Sequence, residues 1–275
     1  MKILVSGGTG FIGQAVVKAL LSKGYPVRTL SRHPKSADGF AGDITKPETL
    51  LRPLEGIETV IQCTQFPGHP VENQKKGYTY WQVDAVGTEN LAKAAKAAGV
   101  KHFIYLSGAG TDGKKTEPWF KAKWHAEQAI RNSGIVATIL RPSWAYGPGD
   151  KSLNRIISIL RKFPIFPLLG GGKNHIQPIF IENLAEIVAL SVDYKDNYRI
   201  FDVGGPEEMT NKEMTQRVAK VLRKKIFFFP LPIPPFAPKF VNFLTMDVKI
   251  DITPLKKAFP QVKLKTLEEG LKTYL

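Results

Sequence analysis

A chain of 275 residues whose first two hundred alternate short β-branched runs with helical patterns predicts an α/β fold, a doubly wound parallel sheet covered by helices on both faces. Two further features support it. A glycine-rich turn joins the first run to the first helix, and Gly24, Gly99 and Gly134 stand where helical periodicity stops.

The expected strands are Lys2–Ser6, Pro26–Ser31, Gly39–Asp43, Glu58–Cys63, His102–Ser107, Val136–Arg141 and Arg199–Val203. Parallel neighbours need crossovers. Residues 10–23 supply one, with Ile12, Ala15, Val16, Ala19 and Leu20 at helical spacing. Residues 84–98 supply a second, with Asp84 available as a cap and Leu91, Ala94, Ala95 and Ala98 on one stripe. Pro118 opens a third, running to about Asn132. From about residue 150 glycine and proline break the pattern, as in Gly170-Gly171-Gly172 and Gly204-Gly205-Pro206. The division expected is a core of 1–150 and 173–203, to which Ile176–Phe180 and a helix near Glu182 return, and a smaller C-terminal substrate lobe of 151–172 and 204–275. Thr266–Leu275 reads as a short helix with Glu268 and Glu269 at the positive end of its dipole.

Thirty-nine Lys and Arg against twenty-four Asp and Glu give +15, so phosphates, acidic partners or an anionic membrane surface are attracted. The excess is spread evenly along the chain, unlike a nucleic-acid arm, and no nucleic-acid motif accompanies it. A lone Cys63 excludes an intrachain disulfide and a cysteine-rich zinc site. With no leader-like start, the expectation is a cytoplasmic protein. Ile226–Met246 is apolar and about as long as a membrane span, but Pro230, Pro232, Pro234, Pro235 and Pro238 would break a helix repeatedly. It reads as an extended segment that, with the Leu168–Lys173 loop, walls an apolar cleft through Phe227, Phe228, Phe229, Phe236 and Phe240; surface membrane contact is the alternative.

Gly8-Thr9-Gly10-Phe11-Ile12-Gly13 fits Gly-x-Gly-x-x-Gly, and Gly7, Gly10 and Gly13 repeat every three residues. After a strand and before a helix, such a loop is the Rossmann-like diphosphate cradle: an early glycine turns the chain, Gly10 admits the ligand to the backbone, and Gly13 packs the helix close. Amides of Thr9, Phe11 and Ile12 then meet the phosphates. The second strand ends Thr29-Leu30-Ser31-Arg32-His33, without the carboxylate that binds the ribose 2′-hydroxyl of NAD. Arg32 as phosphate clamp and Ser31 as hydrogen-bonding helper point to NADP(H); a solvated surface charge is the other reading of Arg32.

Together with Gly42-Asp43-Ile44, Asp84-Ala85-Val86-Gly87-Thr88, His102-Phe103-Ile104-Tyr105-Leu106-Ser107, Leu140-Arg141-Pro142 and Gly204-Gly205-Pro206-Glu207, the loop resembles the short-chain dehydrogenase/reductase superfamily. The likeness is greatest to its atypical branch, which includes NmrA-like redox sensors, isoflavone-reductase-like enzymes and the accessory dinucleotide-binding subunit of respiratory NADH dehydrogenase. The resemblance implies Asp43 and Ile44 beside adenine, Cys63 and Thr64 near the adenine-side ribose, and Ser107 beneath the nicotinamide. It also implies a Tyr-x-x-x-Lys pair on the following helix, the tyrosine exchanging a proton with substrate and the lysine holding the nicotinamide ribose. This chain reads Trp119-Phe120-Lys121-Ala122-Lys123, keeping the lysine and placing an indole in the tyrosine position. An indole N–H donates but has no accessible acidic form. Trp119 is then either a surface over the nicotinamide or a core aromatic. Tyr146, on a glycine-rich loop after the sixth strand, is better placed as a substitute donor than His125 or Lys121, with a loop tyrosine that only lines the pocket as the other and favoured reading. His69 alone supports no metal site.

Two functions follow. One is an NADP(H)-dependent oxidoreductase acting on a small molecule with Lys123, Ser107 and Tyr146 as its catalytic group. The other is a non-catalytic, cofactor-loaded sensor or assembly factor that docks on a protein or a membrane surface.

Overall fold

A computed structural model describes residues 1–34, 38–194, 196–233 and 245–275. Contacts divide the chain into two compact units, Met1–Pro142 with Ala185–Asp202, and Ser143–Leu184 with Val203–Leu275. The second unit thus takes in residues 143–150 and 173–184, which the sequence pattern assigns to the core.

The first unit is built on β1 (Ile3–Ser6), α1 (Phe11–Ser22), β2 (Val27–Ser31), β3 (Gly39–Ala41), a short α2 (Leu51–Leu54), β4 (Thr59–Gln62), α3 (Gly87–Ala97), β5 (His102–Leu106), α4 (Pro118–Ser133) and β6 (Val136–Pro142). Among the described residues the sheet runs β11-β6-β5-β4-β1-β2-β3, where β11 is Arg199–Val203. The pairings from β3 through β6 are all parallel. Strand order reverses between β1 and β4, which opens a crevice beyond the carboxyl ends of those strands. β1, β4 and β5 are buried along their whole length, as helices on both faces require. One core layer joins Leu4, Leu30, Val60 and Phe103 of the sheet to Leu91 and Ala95 of α3 and Ile130 of α4.

Two elements differ from the sequence reading. Asp84 does not cap the second crossover; it lies inside a π-helical segment, Trp81–Val86, that runs directly into α3. Its carboxylate turns inward to a partner found only in the fold, so it is withdrawn from capping. Ile176–Phe180 does not return to the large sheet. It forms β9 (His175–Ile176) and β10 (Ile179–Phe180), which pair with β12 (Met209–Thr210) and with β7 (Ala145–Tyr146). The run is too broken by Gln177 and Pro178 to make a long ladder.

The second unit also holds α5 (Ser152–Lys162), β8 (Ile165–Leu169), α7 (Asn211–Val221), β13 (Phe227–Leu231), α8 (Thr253–Ala258) and α9 (Leu267–Lys272), while α6 (Ile181–Leu190) starts in the second unit and continues in the first from Ala185. Capping boxes start α7 at Thr210 with Glu213 and α9 at Thr266 with Glu269. Arg217 of α7 grips both Glu207 and Glu268, which joins α7 to α9. Phe236, Phe240, Pro234, Pro235 and Pro238 of the expected cleft wall lie outside the described residues.

Candidate functional site

β1 ends at Ser6 and the chain turns through Gly7, whose φ of 76° suits glycine. A Cβ on Gly7 would lie 2.9 Å from the Thr64 amide nitrogen, and one on Gly13 would lie 2.1 Å from the Gly7 carbonyl oxygen. The helix therefore packs on the loop backbone to backbone, which only glycine permits at position 13. α1 starts at Phe11 with Gly10 as its cap; no side chain caps it and no acidic residue stands in its first turn. The leading amides and the positive end of the helix dipole are left to an external anion. Thr9, Phe11 and Ile12 are half-buried around this turn, and Gln14 donates to the Thr9 carbonyl at 2.7 Å.

At the end of β2 the Ser31 hydroxyl is buried and has no hydrogen-bond partner among the described residues, while Arg32 is exposed. Beyond β3 the Asp43 carboxylate accepts from the Thr45 amide (2.9 Å) and hydroxyl (2.8 Å) and so shapes the turn. Ile44 is 4% exposed and belongs to the core; a Cβ on Gly87 would sit 2.7 Å from its Cγ1. Thr64 hydrogen-bonds Ser6 through their hydroxyls at 2.8 Å and ties the ends of β1 and β4 across the crevice. Burial pushes the neighbouring Cys63 thiol up to about 12, partly offset by the Lys123 ammonium, so it carries no thiolate near neutral pH.

The β5–α4 side is different in kind. Lys123 is 2% exposed, and its ammonium lies 2.9 Å from the fully buried Asp84 carboxylate and 3.4 Å from the Leu106 carbonyl. The other Asp84 oxygen accepts from the Phe66 amide at 2.9 Å. One helical turn on, Glu127 is also fully buried, accepting from the Ser107 hydroxyl at 2.6 Å and from Arg141 Nε (2.9 Å) and Nη2 (2.6 Å). The spacing of four sets Lys123 and Glu127 on one face of α4. Ser107 thus commits its proton to Glu127 and keeps only acceptor capacity.

Trp119 stands at the start of α4 with its six-membered ring against the residue after Ser107: a Cβ on Gly108 would be 2.1 Å from Trp119 Cη2. The indole also packs against the core cluster formed by Phe66, Tyr80, Ala85 and Ala122. Tyr80 meets His69 Nδ1 through its hydroxyl at 2.6 Å. Burial, then the Asp84 charge, holds the Tyr80 phenol well above its usual range, and burial lowers His69.

Within the first unit the loop residues 7–13, Ser31, Thr64, Ser107 and Lys123 therefore stand at the carboxyl ends of β1, β2, β4 and β5. Tyr146 belongs to the second unit, where it is 1% exposed and donates to the Thr266 carbonyl at 3.1 Å. Burial holds its phenol far above the usual range. As folded it fastens α9, which does not suit the proton-donor role read for it. Phe227 and Phe229 are 73% and 58% exposed, so among the described residues these two rings stand in solvent and do not pack into the expected wall. Sequence reasoning missed Tyr80, Glu127, Arg141 and the inward role of Asp84. An acid set between Val83 and Ala85-Val86 was the available signal.

The model of the NAD dependent epimerase/dehydratase family matches residues 3–204. UDP-glucose 4-epimerase of Vibrio cholerae is 29% identical over 98% of this chain and 93% of its own length. The mitochondrial NADH dehydrogenase (ubiquinone) 1 alpha subcomplex subunit 9 of Arabidopsis thaliana is 26% identical over 84% of this chain but 60% of its own. Among solved structures, the UDP-glucose 4-epimerase of Thermus thermophilus in complex with NAD superposes with a TM-score of 0.78 at 23% identity, covering 99% of this chain and 97% of that one. With the glycine cradle at the strand-order reversal, the match over most of the chain places this protein in the NAD dependent epimerase/dehydratase family.

Proposed function

We propose that this chain binds NADP(H) and holds it as a non-catalytic, cofactor-loaded sensor or assembly factor, with the usual proton relay dismantled. The observation that carries the cofactor reading is the acid-free end of β2, where a Ser31 hydroxyl with no partner among the described residues sits beside an exposed Arg32. The residues present fit the group: Gly7 and Gly13 let the turn close backbone to backbone against Thr64 and the Gly7 carbonyl, Gly10 is exposed at the turn, and the amides at the start of α1 have no side-chain cap and are free to meet an anion. The loop 7–13 would hold the diphosphate, Arg32 and Ser31 the 2′-phosphate, Thr64 and the backbone at Asp43 the adenosine end, and Lys123 and Ser107 the nicotinamide end. Bound there, the dinucleotide supplies hydride chemistry; the protein supplies orientation and charge.

The non-catalytic reading rests on the proton inventory. Trp119 stands in the position of the tyrosine, Ser107 has donated to Glu127, and Lys123 is neutralised by Asp84. The NADH dehydrogenase subunit and a photosystem II assembly factor, Ycf39 of Trieres chinensis, are among the relatives. One observation favours an oxidoreductase instead: the Tyr80–His69 hydrogen bond lies in the field of Asp84 and Lys123 and offers a phenol for proton transfer.

Calorimetric titration of the wild-type chain and Arg32→Glu with NADPH and NADH tests the cofactor assignment. The expected result is tighter binding of NADPH by the wild type and a loss of about tenfold or more on substitution, confined to NADPH. Equal losses for both nucleotides would overturn it.

A further inference from the structure

β8 and β13 form a parallel two-stranded ribbon in the second unit, in the register Phe227 to Ile165, Phe229 to Pro167 and Leu231 to Leu169. Paired residues in a parallel ladder point the same way, so these six side chains share one face. The opposite face buries Phe166 and Leu168. On a sheet packed on one side, the outer face ordinarily carries polar residues. Here it carries none, and Phe227 is 73%, Phe229 58% and Ile165 57% exposed, with Phe163 adding another 58% at the ribbon's start.

The charges around it have one sign. Arg161-Lys162 precede β8 and Arg223-Lys224-Lys225 precede β13, and all five are exposed. Because the strands are parallel and the Phe227 amide donates to the Pro164 carbonyl at 2.8 Å, both clusters sit at the same end of the ribbon. None of the five pairs with a carboxylate among the described residues. Residues 151–172 and 222–246 contain no Asp or Glu.

We propose that this ribbon is a docking surface for an anionic lipid bilayer, the Phe, Ile and Leu side chains entering the headgroup boundary and the basic end meeting lipid phosphates. An apolar face bordered by lysine and arginine is what the water–lipid interface selects, since apolar burial and attraction to anionic headgroups add. A second copy of this chain fits worse. Two five-residue strands cover about 16 Å by 10 Å, on the order of 160 Å², far below the roughly 800 Å² per partner of a stable interface, and like charges would oppose. Single-stranded nucleic acid would want basic residues interleaved with the stacking rings along a groove, whereas all five here precede the strands at one end of the ribbon.

The surface requires no nucleotide, so its test is independent of the cofactor reading. The whole chain is floated with phosphatidylcholine vesicles with and without phosphatidylglycerol. Anionic vesicles should bind at least about tenfold more tightly. Phe227→Ser/Phe229→Ser and Lys224→Glu/Lys225→Glu should each lower that binding about tenfold or more, with unchanged circular dichroism expected of such exposed positions. Phe229→Trp should shift its emission to the blue on anionic vesicles alone. The proposal is overturned if neither vesicle binds, if the double Phe variant binds as well as wild type, so that bulk charge suffices, or if the wild type is a dimer that the Phe variant dissolves.

Discussion

The glycine loop and the β5–α4 cluster stand at the same carboxyl edge of one sheet, yet they treat their hydrogen-bond donors in opposite ways. Around the loop the donors are left outward: the leading amides of α1 have no side-chain cap, and the Ser31 hydroxyl has no partner among the described residues. In the cluster they are turned inward, Ser107 to Glu127, Arg141 to Glu127 and Lys123 to Asp84. A site with open donors gains ligand affinity at a cost in local stability, whereas a closed, fully paired network stabilises the fold and leaves little to give a reacting atom. On the proposed reading, one sheet edge keeps its binding half while its chemical half is structural.

Breaking the closed half should have the largest effect. Asp84→Ala leaves the Lys123 ammonium buried without a counter-charge and should cost about 3–5 kcal/mol in chemical denaturation. Asp84→Ala combined with Lys123→Met should recover most of that loss, and a double variant as unstable as the single one would contradict the pairing. Glu127→Gln removes the charge that organises Ser107 and Arg141 and should cost about 2–4 kcal/mol by the same measurement.

Gly108→Ala probes the same packed side, because its methyl would enter the Trp119 ring. It should cost about 1–3 kcal/mol, relieved in a Trp119→Leu background. At the loop, Gly13→Ala meets the Gly7 carbonyl and should remove the rise in melting temperature that NADPH gives the wild type. The smallest effect is a pH dependence. Burial lowers the His69 pKa in the folded chain, so the unfolded chain binds more protons as pH falls below about 6.5. Stability should decline over that window and then level off, and His69→Gln should flatten the decline.

The sequence made the open half legible and hid most of the closed half. Gly7, Gly10 and Gly13 form a local pattern whose spacing is itself the constraint, and the lack of an acid at Ser31-Arg32 is read directly. Lys123 was visible through its position after Trp119, but its partner Asp84 comes from a separate crossover, and a lone acid near a helix start reads naturally as a cap. Glu127 and Arg141 lie on different elements and meet only when α4 packs on β6. Tyr146 misled for a related reason: a tyrosine after a strand end looks presented to ligand until α9, more than a hundred residues later, closes over its hydroxyl. Ile176–Phe180 looked like a sheet strand because composition does not disclose which ladder a short run joins.

Binding of the dinucleotide without turnover through a conventional proton relay is tested most directly by following NADPH absorbance with a panel of carbonyl compounds, for the wild type and Lys123→Ala. NADPH should bind the wild type and be consumed no faster than with the variant; steady, Lys123-dependent consumption would contradict the non-catalytic reading.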